Sequence, residues 1–239
     1  MNFVILGQAR TGSTLLVRLL HSHPQVQCDG EIFGKHGWRY APKRYLGPLV
    51  RRCPEPYIWY KAGKSIKSVY GFKLLVNHLA VTHRVITGLH RRGWQIIHIQ
   101  RRSLFDITLS RLVAAETGQY GEYKPAGEPD ELSLTLPPDQ FMARMEDCLN
   151  FRRRELNVLK GIPYLAVTYE DDLLSETARN RRCSLIFEAL QIEPLPVSTT
   201  RARSWNRPYS DLVVNYAQLQ ALMQTTAGQA LQAAWTDLF

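Results

Sequence analysis

The 239-residue sequence predicts a three-layer α/β domain, a central mostly parallel sheet flanked by helices. Three observations predict it. Short apolar runs recur along the chain, each the length of a buried strand. Stretches with leucine or other apolar residues at helical spacing follow them, so strand and helix alternate. The first such run passes straight into a turn of small residues, the usual start of a nucleotide-type α/β unit.

Each element can be justified in order. Phe3-Val4-Ile5-Leu6 is an apolar run ending at Gly7, and reads as a buried strand. Leu15, Leu16, Leu19 and Leu20 lie at helical spacing, and Pro24 stops that helix. Residues 28–65 carry Gly34, Gly37, Pro42, Gly47, Pro48, Pro54 and Pro56, and read as an irregular binding region holding one short helix. Val69 to Val76 reads as a second strand, residues 79–92 as a helix closed by Gly93, and Trp94 to Gln100 as a third, central strand. A helix then runs to about Thr117. Residues 118–138, with Gly, Pro and acids, form a second irregular insertion of the length seen in lids. Asp139 caps a helix reaching about Lys160, Tyr164 to Thr168 is another strand, and a helix covers about Thr177 to Leu190. Residues 193–209, with Pro194, Pro196 and Pro208, form a loop, and the remainder is helical. No internal repeat or linker interrupts residues 1–239, which therefore read as a single domain.

Composition narrows the functional classes. Hydrophobic residues are 45% and charged residues 21%, which excludes a disordered chain. Lys and Arg number 30 against 21 Asp and Glu, and the formal net charge of +9 points to an anionic partner. Cys28, Cys53, Cys148 and Cys183 show no CxxC spacing, so a zinc knuckle or redox pair is not indicated and reduced thiols of a cytoplasmic protein are expected. The first residues lack a basic n-region, and no run approaches the ~20 apolar residues of a membrane span.

The strongest motif is the turn Gly7-Gln8-Ala9-Arg10-Thr11-Gly12-Ser13-Thr14. Gly7 and Gly12 fit the GxxxxG frame of a phosphate-binding loop, where backbone N–H groups at a helix N-terminus hold an anion, so the domain is P-loop-like. A triphosphate loop would have Lys at position 13. Here the residue is Ser13 and the turn's cation is Arg10, which disfavours a kinase or ATPase.

Arg10-Thr11-Gly12-Ser13-Thr14-Leu15-Leu16 resembles the 5′-phosphosulfate loop of the sulfotransferase family, in the form found in carbohydrate-type and bacterial trehalose-type members. Arg101-Arg102 at a strand end, with Ser110 eight residues beyond Arg102, resembles the family's 3′-phosphate site. Gly30-Glu31-Ile32-Phe33, Gly71-Phe72-Lys73-Leu74 and Val167-Thr168-Tyr169-Glu170-Asp171 with Leu173 resemble further family segments. Order and spacing agree from residue 3 to about residue 216. The resemblance implies 3′-phosphoadenosine 5′-phosphosulfate (PAPS) as donor and 3′-phosphoadenosine 5′-phosphate (PAP) as product. It implies donor contacts from Gly7, Ala9, Arg10, Thr11, Gly12, Ser13, Thr14, one of Arg101 and Arg102, Ser110, and the basic loop holding Arg201 and Arg203. That loop departs from the Arg-Lys-Gly form of the cytosolic aryl members.

The chemistry is consistent with this. Arg10 can relieve charge on the leaving phosphate, and no metal is needed. The family places His or Glu after the first helix as the base; Glu31 matches the acidic version, with His21, His23 and His36 as competitors. His36, Trp38 and Tyr40 are candidate acceptor contacts, the acceptor expected being a small-molecule, carbohydrate or glycolipid hydroxyl, with no nucleic acid partner. Two other classes compete: a P-loop kinase-like phosphotransferase, and a basic nucleic-acid-binding module that would leave residues 7–14 unexplained.

Overall fold

In the computed structural model, described here over residues 1–34, 50–118, 133–199 and 208–239, five parallel strands form one sheet in the order β2-β3-β1-β4-β5. The elements are β1 (Phe3–Gly7), α1 (Ser13–His21), β2 (Val26–Glu31), α2 (Glu55–Gly63), β3 (Val69–Leu75), α3 (Thr82–His90), β4 (Gln95–Gln100), α4 (Leu104–Thr117), α5 (Pro138–Leu159), β5 (Leu165–Thr168), a single π-helical turn (Tyr169–Leu173), α6 (Glu176–Ala189), α7 (Tyr209–Leu212), α8 (Tyr216–Leu222) and α9 (Thr226–Thr236). This is the P-loop-like α/β architecture expected from the alternation of apolar runs.

The chain divides into two compact units. The first comprises Met1–Arg101 and Arg154–Thr199, the second Arg102–Arg153 and Thr200–Phe239. The sheet belongs to the first. All five residues of β1 and all seven of β3 are buried, as strands covered on both faces must be. The pleat sends Phe3 and Ile5 to one face and Val4 and Leu6 to the other. The first pair packs with Leu16, Leu19 and Leu20 of α1 and with Ile186 and Phe187 of α6. The second packs with Ile58 of α2, Val85, Ile86 and Leu89 of α3, and Val158 and Leu159. His98, fully buried on β4, meets Glu155 at 3.2 Å. The second unit has its own core, including Leu104, Leu112, Phe141, Met145, Leu212 and Trp235.

Residues 28–65 are not irregular at their start. Val26–Glu31 is an edge strand paired with β3, and Glu55–Gly63 is the short helix. The polar sequence of β2 (Val-Gln-Cys-Asp-Gly-Glu) hid it, because an edge strand needs an apolar residue only on alternate positions. All four cysteines are free thiols; burial pushes Cys183 up to about 12.

Strand order sets the position of the site. From β1 the chain passes through α1 to β2 on one side, and from β4 it continues to β5 on the other. The neighbours β1 and β4 therefore flank a topological switch point, whose crevice lies beyond their C-terminal ends. Those ends carry Gly7 and Gln100, followed by the turn at residues 8–12 and by Arg101.

Candidate functional site

The turn after β1 is shaped by its backbone. Gly12 caps α1 with φ +85°, a left-handed conformation that a side chain would strain. A Cβ there would also strike the ring of Tyr169. Arg10 adopts the same region at φ 71° despite its side chain, an uncommon state held by its surroundings. Thr11 donates from its hydroxyl to the Gln8 carbonyl at 2.9 Å, bracing the turn internally. Gly12 supplies no side-chain acceptor to α1, and the first turn of α1 contains no acid. An uncapped N-terminus that also lacks a carboxylate suits an incoming anion.

Arg101 is drawn to this turn. Its Nη1 donates to the Arg10 carbonyl at 3.3 Å, and its guanidinium stacks on Tyr169 at 4.9 Å from the ring centre. Glu170 Oε1 lies 3.6 Å from its Nε. The segment Tyr169–Leu173 thus enters the site as a π-helical turn whose aromatic ring backs both Gly12 and Arg101. Asp172 fastens that turn by accepting from the Thr168 N–H at 2.8 Å and meeting Arg182 at 2.9 Å.

The second part of the site is the C-terminal end of β2. A register shift between Asp29 and Glu31 sets Glu31 opposite Lys73 of β3. Lys73 Nζ is 2.8 Å from Glu31 Oε1 and donates to Thr14 Oγ1 at 3.1 Å. His78 Nε2 is 3.3 Å from Glu31 Oε2. A Cβ on Gly34 would lie 2.7 Å from Glu31 Oε2, so only glycine admits the carboxylate there. Hydrogen bonding from His78, with the nearby Lys73 charge, outweighs partial burial and holds Glu31 at about 2, below its ordinary 4.5.

The structure therefore brings Arg10, Gly12, Ser13, Thr14, Glu31 and Arg101 to one end of the sheet, with Gly7 closing β1 and Ala9 within the turn. Arg102 and Ser110 belong to the second compact unit, where the Arg102 carbonyl accepts from Trp235 Nε1 at 2.7 Å and Ser110 is buried in α4. His36, Trp38, Tyr40, Arg201 and Arg203 lie outside the described residues. Of the rival histidines, His21 accepts at Nδ1 from the Cys28 N–H, and both ring nitrogens of His23 are engaged, by the Gln25 N–H and the Glu193 carbonyl.

Two residues escaped sequence reasoning as site members. Lys73 carried a signal, since a lone lysine in a wholly buried strand needs a partner. His78 carried none; it follows the strand by three residues and belongs to no motif. Among the described residues, no group of three His, Cys, Asp or Glu side chains gathers to hold a metal ion, and no helix is long and apolar enough to cross a membrane.

Residues 2–45, which span β1, the turn, α1 and β2, match the model of a sulfotransferase family. The chain is 27% identical over 179 residues to nodulation protein H of Rhizobium tropici, covering 74% of this chain and 71% of the relative. It is 23% identical over 171 residues to nodulation protein H of Rhizobium meliloti, covering 70% and 69%. A solved sulfotransferase domain from the curacin biosynthetic pathway shares the fold, with a TM-score of 0.50, 9% identity and coverage of 97% and 96% of the two chains.

Proposed function

We propose, from its similarity over residues 2–45 to a sulfotransferase family model and to nodulation protein H, that this chain transfers a sulfuryl group from PAPS to a hydroxyl of a carbohydrate or glycolipid, by in-line displacement with Glu31 as general base. The observation that carries the reading is the chain of contacts Glu31–Lys73–Thr14, which joins a carboxylate directly to the anion-binding turn. An anionic donor fits that turn, because α1 begins without a side-chain cap or an acid and Arg10 lies within it.

In this reading the acceptor oxygen forms a bond to sulfur as the bridging sulfur–oxygen bond breaks, and the electron pair leaves on the 5′-phosphate. Arg10, Thr14 and the first N–H groups of α1 stabilise that developing charge. The hydroxyl proton passes to Glu31. A carboxylate held near 2 is a weak base toward a free alcohol, but bonding to sulfur makes the oxygen far more acidic, and the transfer then runs downhill. The 3′-phosphate falls by resemblance to Arg101 or Arg102 with Ser110, and the adenosine side to Arg201 and Arg203. His36, Trp38 and Tyr40 are the acceptor contacts the resemblance favours.

Calorimetry with PAP, without Mg²⁺, tests the donor site. One-to-one binding is expected, weakened about tenfold or more in Arg10→Ala through loss of charge-assisted bonds. Binding of ATP with Mg²⁺ in place of PAP would instead make the protein a phosphotransferase. Radiolabelled PAPS offered with a panel of mono- and disaccharides tests the transfer, and Glu31→Gln is expected to cut turnover by about 100-fold while leaving PAP affinity in place.

A further inference from the structure

Glu31 is held from two sides, and the two holds differ in kind. Lys73 is a charged donor on the neighbouring strand, 2.8 Å from Oε1. His78 approaches Oε2 from the turn after β3, at 3.3 Å, with its side chain only 11% exposed. That turn is tied to the phosphate-binding end of the sheet. The Val76 N–H donates to the Gly7 carbonyl at 3.0 Å, and the His78 N–H donates to the Leu75 carbonyl at 2.9 Å. The other ring nitrogen of His78 is also committed. The Leu75 N–H points to Nδ1 at 3.4 Å, so Nδ1 must be an acceptor and carry no hydrogen. A neutral ring then has its proton on Nε2, facing Glu31.

We propose that His78 is a positioning residue for Glu31, a neutral imidazole whose tautomer is set by the Leu75 N–H and whose Nε2–H donates to Oε2, fixing the carboxylate in one orientation beside the phosphate-binding turn. This rests on Glu31 as the general base. His78 itself neither gains nor loses a proton in the reaction; the acceptor's proton ends on Glu31. With Lys73 on Oε1 and His78 on Oε2, both carboxylate oxygens are pinned. A neutral donor orients the carboxylate without adding a second positive charge that would further weaken it as a base.

The test uses the full chain as wild type, His78→Gln, His78→Phe and Glu31→Gln. Carbon-13 NMR of the Glu31 carboxyl gives its titration directly, and nitrogen-15 NMR of His78 gives its tautomer. Wild-type His78 is expected to show a bare Nδ1 and a protonated Nε2 at pH 7; the opposite tautomer overturns the proposal without any variant. Gln can present an N–H where Nε2 stood, so His78→Gln is expected to leave the Glu31 titration close to wild type. His78→Phe, which keeps ring volume but removes the donor, is expected to move it up by about one unit or more. An unmoved titration in His78→Phe, or an equal displacement in both variants, overturns the proposal. In transfer assays with labelled PAPS and trehalose as probe acceptor, the Phe variant is expected to lose about tenfold or more in kcat with donor KM preserved, and the Gln variant to recover it. Full transfer by Glu31→Gln, with the NMR results standing, would instead sink the base assignment on which the proposal rests.

Discussion

At the scale of single residues, Gly12 and Glu31 answer to different constraints. Gly12 is bound by backbone geometry: a side chain at φ +85° costs roughly 1–2 kcal/mol, and the Tyr169 ring occupies the space a Cβ needs. Gly12→Ala is therefore expected to lower thermal stability by a few degrees and to weaken PAP binding about tenfold or more, read by calorimetry on the folded variant. Glu31 is bound by charge. Its folded value of about 2 lies below the ordinary 4.5, so its contribution to stability is present above about pH 4.5 and is lost as pH falls toward 2. The difference in melting temperature between wild type and Glu31→Gln should accordingly be widest near neutral pH and close on acidification. A gap that stays constant from pH 6 to pH 3 would show that the carboxylate charge is not what the site stabilises.

At the scale of elements, helix α1 does two jobs with two faces. Leu16, Leu19 and Leu20 are buried against the sheet, while the opening turn of the helix lies at the proposed anion site. Truncating the core face by Leu16→Ala is expected to cost about 2–5 kcal/mol of stability in denaturant unfolding, with PAP affinity per folded molecule little changed. A collapse of affinity with stability intact would mean the helix end, not its packing, had moved. Helix α4 depends on its cap, since Ser103 accepts from the Asp106 N–H at 3.1 Å, and Ser103→Ala should cost about 1 kcal/mol by the same measurement. The π-helical turn Tyr169–Leu173 shows how one irregular element can serve a site: its wider turn, pinned by Asp172 on the Thr168 N–H, accompanies an aromatic ring placed behind both Gly12 and Arg101.

At the scale of the whole molecule, the formal charge of +9 is suited to attracting a multiply charged donor. PAP affinity is expected to fall as NaCl rises from 50 to 500 mM, since exposed charges are screened beyond a few ångströms at high salt. Duplex DNA added in excess at 150 mM NaCl should not displace PAP. Displacement would restore the reading of the basic charge as a nucleic-acid surface.

The sequence by itself determined the alternation of strands and helices, and the strand–turn–helix that sets Arg10, Gly12, Ser13 and Thr14 after β1. Those features are local: strand burial, helical spacing and a contiguous turn are written within a few residues of one another. Glu31 became visible only through the family resemblance, because β2 is a polar edge strand whose alternation rests on Val26 and Cys28 alone. Only the tertiary structure decided what surrounds Glu31. Lys73 reaches it across the β2–β3 ladder from 42 positions away in sequence, and His78 by a turn hung on the end of β1. Arg101 meets Arg10 for the same reason. Strand order places the ends of β1 and β4 side by side, and no pattern within either segment encodes that order.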